Sequence, residues 1–586
     1  MRDCAGFGEW LFICRQGSSL RSGYSAIISA PASIRLALLL ASFAAAALGG
    51  LLFWAYEGRP HDVPDAGGGR FASVSFSPYR AGESPLARIA PTSEEIAEDL
   101  AVLAGRFEGV RTYASLEGLE AVPRFARPLG MTVMQGIWLG REPEVNEREV
   151  QSGIELANRY PDVIRQIVAG NEVMLRRDLS REQLAAYIDR VKAAVKQPVT
   201  YADVWEFWLK NPELASHVDF ITIHILPYWE DDPVPIGRAL DHVSAVLAKV
   251  QAAFPGKRVM IGEVGWPSSG RMREGALPSL VNEARLVRGF VAFARANGIA
   301  YNLFEAFDES WKRSLEGTVG GHWGLYDEAR EAKFALSGPV SDDSNWRKHF
   351  ALATALAGLA VLVAAWRRPG LAFLAQLALA VTAEIFGSVL TLDATLSATI
   401  ALSPFARILA GLGLAANLLL AAMFLYALAA RLQGERWPAA ALPSAREALN
   451  LLRGRPQPGP ALGERMLGLL QFCFVVAAGA ITVALLFDPR YRDFPSEAFF
   501  LPAFGFAALA LLGPMPGTSG SEHREEIVLI ALLLGGAVGV LLREGAQNLE
   551  ALGWSAVLVL LALPWSLALS LRLGRSSVAV PPRHPQ

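Results

Sequence analysis

Cysteine is scarce. Three occur in 586 residues, Cys4, Cys14 and Cys473. None lies between residues 57 and 350, where the charged residues crowd, so that block can hold neither a disulfide framework nor a cysteine-based metal site. The histidines are scattered and no His-Glu-x-x-His pair occurs, so the expectation is chemistry without a metal or other cofactor. The net charge of -2 gives no reason to expect nucleic acid. No Gly-x-Gly-x-x-Gly turn follows the first candidate strand, which argues against a dinucleotide-binding open sheet.

What is present is unevenly spread. The chain is 52% hydrophobic and 19% charged, yet outside 57–350 it is dominated by Ala, Leu, Val and Gly. That contrast predicts a soluble domain joined to a membrane domain. Residues 1–33 form a polar leader with Arg2, Arg15 and Arg21, and 34–55 is an apolar run of bilayer length. No small-x-small cleavage site follows, so an uncleaved anchor is preferred to a signal peptide. The leader arginines place the N-terminus in the cytoplasm and 57–347 outside. Further apolar runs at 349–366, 371–392, 407–430, 466–487, 498–514, 526–542 and 553–571 give a membrane domain over 349–571 and a cytoplasmic tail at 572–586. The run 498–514 is short and contains Pro502. The loops assigned to the cytoplasm hold Arg367, Arg368 and the arginines between 431 and 465. The outside loops are poorer in basic residues.

Three membrane features have two readings each. Glu384, with Gln376 two turns earlier, is a functional candidate or a carboxyl bonded within the bundle. Gly535-x-x-x-Gly539 allows close helix packing but is common by chance. Gln433-Gly434-Glu435-Arg436-Trp437 matches the Gln-x-x-Arg-Trp pattern of processive glycosyltransferases. It is read as chance, because no nucleotide-sugar domain or Asp-x-Asp pair accompanies it.

The soluble block alternates short apolar strands with amphipathic stretches. Strands are expected at 71–77, 109–113, 131–137, 166–171, 198–203, 218–224, 258–263 and 300–306. Thr92-x-x-Glu95 and Ser180-x-x-Gln183 read as capping boxes, and Gly298 as a helix stop. Eight strands alternating with helices predict a (β/α)8 TIM barrel followed by a multi-span α-helical membrane domain.

Active sites of such barrels form at the C-terminal strand ends. Glu172 ends the fourth candidate strand and Glu263 the seventh, on opposite sides of the mouth. Two carboxyls so placed suit acid and nucleophile roles at one glycosidic bond. Eight tryptophans fall in the soluble block. Of these Trp138, Trp205, Trp229 and Trp266, near strand ends, are candidate sugar platforms, with core packing the even alternative. Trp208 reads as packing, and His224 as a satisfied barrel histidine or a substrate ligand.

Five elements in order complete the picture: Val110-Arg111-Thr112-Tyr113, Ala169-Gly170-Asn171-Glu172, Glu263-Val264-Gly265-Trp266-Pro267-Ser268, Phe307-Asp308-Glu309-Ser310-Trp311-Lys312 and His322-Trp323-Gly324-Leu325-Tyr326. Spanning roughly 70–335, they resemble glycoside hydrolase family 17, the β-1,3-glucanase-type enzymes. The resemblance implies a retaining double displacement with Glu172 as acid/base and Glu263 as nucleophile. It implies that Asn171 bonds the sugar 2-OH, that Arg111 and Tyr228 orient Glu263, and that Tyr113, Glu309, Trp311 and Lys312 lie at the substrate. Val264 departs from the usual Glu-Thr-Gly-Trp. The variant looks like the bacterial membrane-anchored branch that builds or remodels β-glucans, where transfer often replaces hydrolysis. Arg271 and Arg273 read as an acceptor site or, more simply, a solvated loop. The partners implied are a β-glucan, the lipid bilayer and a glucan synthase. The competing readings are a plain endo-β-1,3-glucanase and a non-catalytic glucan-binding subunit of an export complex.

Overall fold

The computed structural model describes residues 31–435, 448, 450, 453–454, 462–512 and 524–576. Most of the leader, Arg436 and Trp437 of the Gln-x-x-Arg-Trp motif, and the last ten residues of the tail lie outside them. Eight parallel strands close on themselves: β1 (Val74–Ser75), β2 (Gly109–Arg111), β3 (Thr132–Ile137), β4 (Ile164–Asn171), β5 (Val199–Val204), β6 (Ile221–His224), β7 (Val259–Val264) and β8 (Tyr301–Leu303). β8 closes the ring on β1 through Val74 and Leu303. This is the (β/α)8 barrel, with each strand inside or overlapping its expected window.

Local chemistry explains the helices around it. Thr92 caps Ser93–Ala104 and Ser180 caps Arg181–Ala194, each by a reciprocal capping box. In the second box the Gln183 amide donates to Ser180 Oγ at 3.2 Å and the Ser180 amide to Gln183 Oε1 at 2.8 Å. Gly298, at φ 62°, ends Leu280–Asn297 in the left-handed conformation that costs glycine least. An apolar core of Val, Ile, Leu and Phe fills the ring and the space beneath the helices.

Eight long helices complete the described residues: α1 (Ala32–Glu57), α2 (Trp346–Arg367), α3 (Phe373–Ile400), α4 (Pro404–Leu432), α5 (Leu462–Phe487), α6 (Ser496–Leu512), α7 (Arg524–Glu544) and α8 (Leu549–Ser576). Seven are long and apolar enough to cross a membrane; α6, with Pro502 inside it, is shorter. At 17 residues α6 is about 25 Å long, and it packs among α3, α4 and α8. Large apolar side chains such as Leu362, Trp366, Leu374, Phe405 and Leu542 point outward over the bundle. Such a surface suits lipid and not water.

Several polar groups inside the bundle are paired by short links. Asn417 donates to Asp393 at 2.9 Å and to the Ala498 carbonyl at 2.8 Å, tying α3, α4 and α6. Glu384 accepts from Thr354 at 2.8 Å, so it is bonded within the bundle, and Gln376 donates to the Leu371 carbonyl at 2.9 Å. Gln433 and Glu435 bind Arg368, at 2.7 and 2.5 Å. The Gly535-x-x-x-Gly539 motif is only half used. Gly535 faces open space, whereas Gly536 and Gly539 meet Thr482 and Leu486 of α5.

Ser180→Ala should cost about 1 kcal/mol and lower the barrel's thermal midpoint by about 2–4 °C. Near-UV circular dichroism of the full chain reads this; an unchanged midpoint would show that the box contributes nothing.

Candidate active site

The site begins with irregular strand ends. β4 slips register against β5 between Val168 and Asn171, and β6 against β7 between Ile223 and His224. Such bulges re-aim side chains at a barrel rim. Gly170 (φ 92°) and Glu172 (φ 53°) finish the turn off β4. These distortions bring Glu172, His224 and Glu263 together, with one ligating atom from each inside a 4.8 Å span. An oxygen of Glu172 is therefore within 4.8 Å of one of Glu263.

Arg111 organises this group from β2 and is fully buried. Its Nη1 donates to Glu263 Oε1 at 3.0 Å and to the Gly262 carbonyl at 2.8 Å. Its Nη2 donates to Asn171 Oδ1 at 2.5 Å. Asn171 thus commits its oxygen to Arg111, and its amide N–H groups take no part in that contact. A cation held by Glu172, His224 and Glu263 would have to share its place with the Arg111 guanidinium, which already lies on the Glu263 oxygen.

Tyr113 donates to the same Glu263 oxygen at 2.9 Å and lies 2.8 Å from Ser75 Oγ. Burial and the neighbouring Glu263 push the phenol well up, so it stays a donor. This corrects the role expected of Tyr228. That residue is fully buried, and its hydroxyl donates to the Arg271 carbonyl at 2.6 Å, away from Glu263. A signal for Tyr113 was available: it follows Arg111 by two residues along an extended chain, so both side chains share the inner face.

His224 lies 2.9 Å from Glu172 through Nδ1 and 3.4 Å from Glu263 through Nε2. It is the satisfied barrel histidine of the two readings, buried and set between the two acids. Burial lowers its pKa to about 4, with Arg111 adding to that and Glu263 opposing it. The neutral ring so favoured turns Nδ1 to Glu172 and Nε2 to Glu263 and Arg111 Nη1, the latter two each at 3.4 Å. Burial raises the Glu172 carboxyl, and Arg176, Arg111 and Lys312 oppose that rise only in part. One acid held by two donors and one raised by desolvation is the split that acid/base chemistry uses.

A second acidic group lies behind the first. Lys312 bonds Glu305, and the Trp311 indole bonds Glu309. Glu305 and Glu309 are buried, and burial raises both despite Lys312. Glu305 lies two residues past the end of β8 and was missed, although strand ends were the place to look.

The tryptophans divide. Trp266 cannot be a platform: it has no exposed surface, its indole donates to the Leu277 carbonyl at 3.0 Å, and it packs on Tyr228. Trp205 is half-buried, with its indole on Glu230 and Lys249 4.5 Å over its ring. Trp138 is half-buried beneath Arg176 at 4.2 Å. Trp229 is half-buried against Trp323, and Trp311 is half-buried near Tyr79. Arg271 is not solvated. It is 3% exposed and bonds the Arg492 carbonyl and Glu544 of the bundle, each at 2.5 Å. Arg273 donates to the Tyr228 carbonyl at 2.6 Å.

The closed ring with paired strand-end acids defines a glycosidase-type enzyme. The barrel is a glycoside hydrolase domain: residues 73–324 match the BtgE/BtgC glycoside hydrolase domain, a range that runs from β1 past β8. A glucan 1,3-beta-glucosidase of Saccharomyces cerevisiae is 24% identical over 249 residues, covering 39% of this chain and 80% of that protein. A probable glucan endo-1,3-beta-glucosidase, btgC, of Aspergillus clavatus is 25% identical over 304 residues, covering 46% and 43%. The family 17 beta-1,3-glucanosyltransferase of Rhizomucor miehei aligns in structure at 27% identity and a TM-score of 0.41, covering 46% of this chain and 98% of that one. These fungal names say nothing of a bacterial membrane-anchored branch.

Tyr113→Phe should lower kcat/KM about tenfold to hundredfold, and Tyr228→Phe much less. Kinetics on laminarin would check this; the reverse order would return the orienting role to Tyr228.

Proposed function

We propose that the protein is a membrane-embedded, retaining β-glucan enzyme. It cleaves β-1,3-glucan through a glycosyl-enzyme intermediate and passes the glycosyl unit to a second glucan or to water. The observation that carries this is the approach of Glu172 and Glu263 to within 4.8 Å. Retaining enzymes keep their carboxyls roughly 5–5.5 Å apart and inverting ones about 6.5–9.5 Å, to seat a water. The glucosidase and glucanosyltransferase names of the relatives support the substrate class.

Glu263 attacks the anomeric carbon as a carboxylate. Its charge is held by Arg111 and aimed by Tyr113. Glu172 gives its proton to the departing glycosidic oxygen as that bond breaks. His224 Nδ1 takes up one Glu172 oxygen, so the other carries the acidic proton. Glu172, now a carboxylate, then takes a proton from the incoming hydroxyl, whose oxygen displaces Glu263 with net retention. A sugar hydroxyl gives transfer and water gives hydrolysis.

Incubating the full chain with laminari-oligosaccharides should yield products longer than the substrate. Glu263→Gln should abolish turnover, and substantial turnover in that variant would reject the nucleophile. Because the Glu172 carboxyl is raised, kcat/KM should fall as pH climbs through its pKa and the acid loses its proton. Glu172→Gln should lose that alkaline limb along with most activity.

The membrane placement is part of the same proposal. Glu544 of α7 and Asp493 before α6 reach the barrel, so the turns at 488–495 and 545–548 share its side. The turn at 368–372 and the far end of α4 lie opposite, with Arg367, Arg368 and Arg431. By the positive-inside rule that far side is cytoplasmic, and the catalytic barrel is periplasmic or extracellular. In a cysteine-free background, an impermeant maleimide applied outside should label Glu94→Cys and not Arg367→Cys; the opposite pattern would invert the topology.

A further inference from the structure

The bundle does not merely tether the barrel. Its contacts fall on the loops after β6, β7 and β8, at the C-terminal rim that holds the acids. Besides the Arg271 contacts, Thr318 Oγ1 donates to Asp493 at 2.7 Å, and the Met272 amide donates to Glu550 at 3.0 Å. The α5–α6 turn passes directly against the loop after β8. A Cβ on Gly317 would lie 2.2 Å from the Tyr491 carbonyl, so the β8 loop is glycine where this turn passes.

At that point the turn presents two groups. The Tyr491 ring stands edge-on to Trp229, at 6.0 Å and 77°, and is 39% exposed. The Arg490 guanidinium is exposed and lies 5.5 Å from the Trp229 ring. Glu316 links this rim to the chemistry, being within electrostatic reach of Glu172, Glu263 and Arg490. A pyranose ring offers an apolar face to an aromatic and a fringe of hydroxyls to a guanidinium's five N–H donors. Tyr491 and Arg490 form that pair, and Trp229, half-buried between Trp323 and Tyr491, supports them.

We propose that the α5–α6 turn is one wall of the glucan cleft, and that Tyr491 and Arg490 form a sugar subsite beyond the catalytic acids. The membrane bundle thus supplies part of the substrate-binding surface. This rests on the reading of the substrate as a β-1,3-glucan. The subsite lies away from the bond being broken, so it acts on longer chains more than on short ones.

The test is binding by the full-length Glu263→Gln protein in detergent, using calorimetry with laminaribiose and laminarihexaose. Adding Tyr491→Ala should weaken the hexaose about tenfold and the disaccharide far less. Tyr491→Phe should keep the parent affinity, and Arg490→Ala, at an exposed site, should also selectively weaken the hexaose. If Tyr491→Ala and Arg490→Ala both bind the hexaose like their parent, the subsite is refuted and the proposed function stands. If Tyr491→Phe falls as far as Tyr491→Ala, ring stacking is not the cause and the subsite is refuted. If the parent binds neither sugar, the substrate reading fails and this inference fails with it.

Discussion

One buried guanidinium holds the catalytic end of this barrel together. Arg111 carries its charge with no exposed surface, and burying a charge is costly unless it is paired and bonded. The pairing here reaches three strands at once: Glu263 and Gly262 on β7 and Asn171 on β4, from β2. Each partner depends on the others. Without Glu263 the cation would be stranded, and without Arg111 a carboxylate that is 4% exposed would be. Tyr113, Asn302 and Ser75 extend the web to β1 and β8, since Asn302 Nδ2 donates to Ser75 Oγ at 2.8 Å. Glu263 is thus part of what closes the ring, and its position is as firm as the fold.

Much of this was legible in the chain. The strands announced themselves by apolar runs between capping boxes, and the two acids by their place at strand ends. What failed was the detail of direction. Tyr228 sits in a loop four residues past β6, where strand periodicity no longer predicts a facing, whereas Tyr113 continues the inner face of β2. Trp266 looked exposed because it follows Glu263 and precedes a proline, yet Tyr228 and Trp323 enclose it. Arg271 looked solvated because its loop is rich in glycine and charge. Its partners come from more than 200 residues away, and no local pattern carries such a contact. Tyr491 and Arg490 were invisible for the same reason, since their meaning comes from what they touch.

The apolar helical half follows a different rule. Apolar packing between helices gains little when the surroundings are apolar too, so polar links and small residues supply specificity. Asp393 with Asn417, Glu384 with Thr354, and Trp54 with Ser388 at 3.2 Å each join separate helices. The short α6 is suited to the centre of such a bundle, where neighbouring helices surround it and its length need not match a bilayer.

The backbone at Glu172 carries its own meaning. A non-glycine residue at φ 53° sits in the left-handed region, which costs of order 1–3 kcal/mol. Glycine or asparagine would relax that turn, so selection for robustness alone would replace the residue. Strain at this turn is the cost of aiming the Glu172 carboxyl at the barrel mouth. A laboratory search for heat-tolerant forms of this barrel would therefore tend to discard Glu172 early.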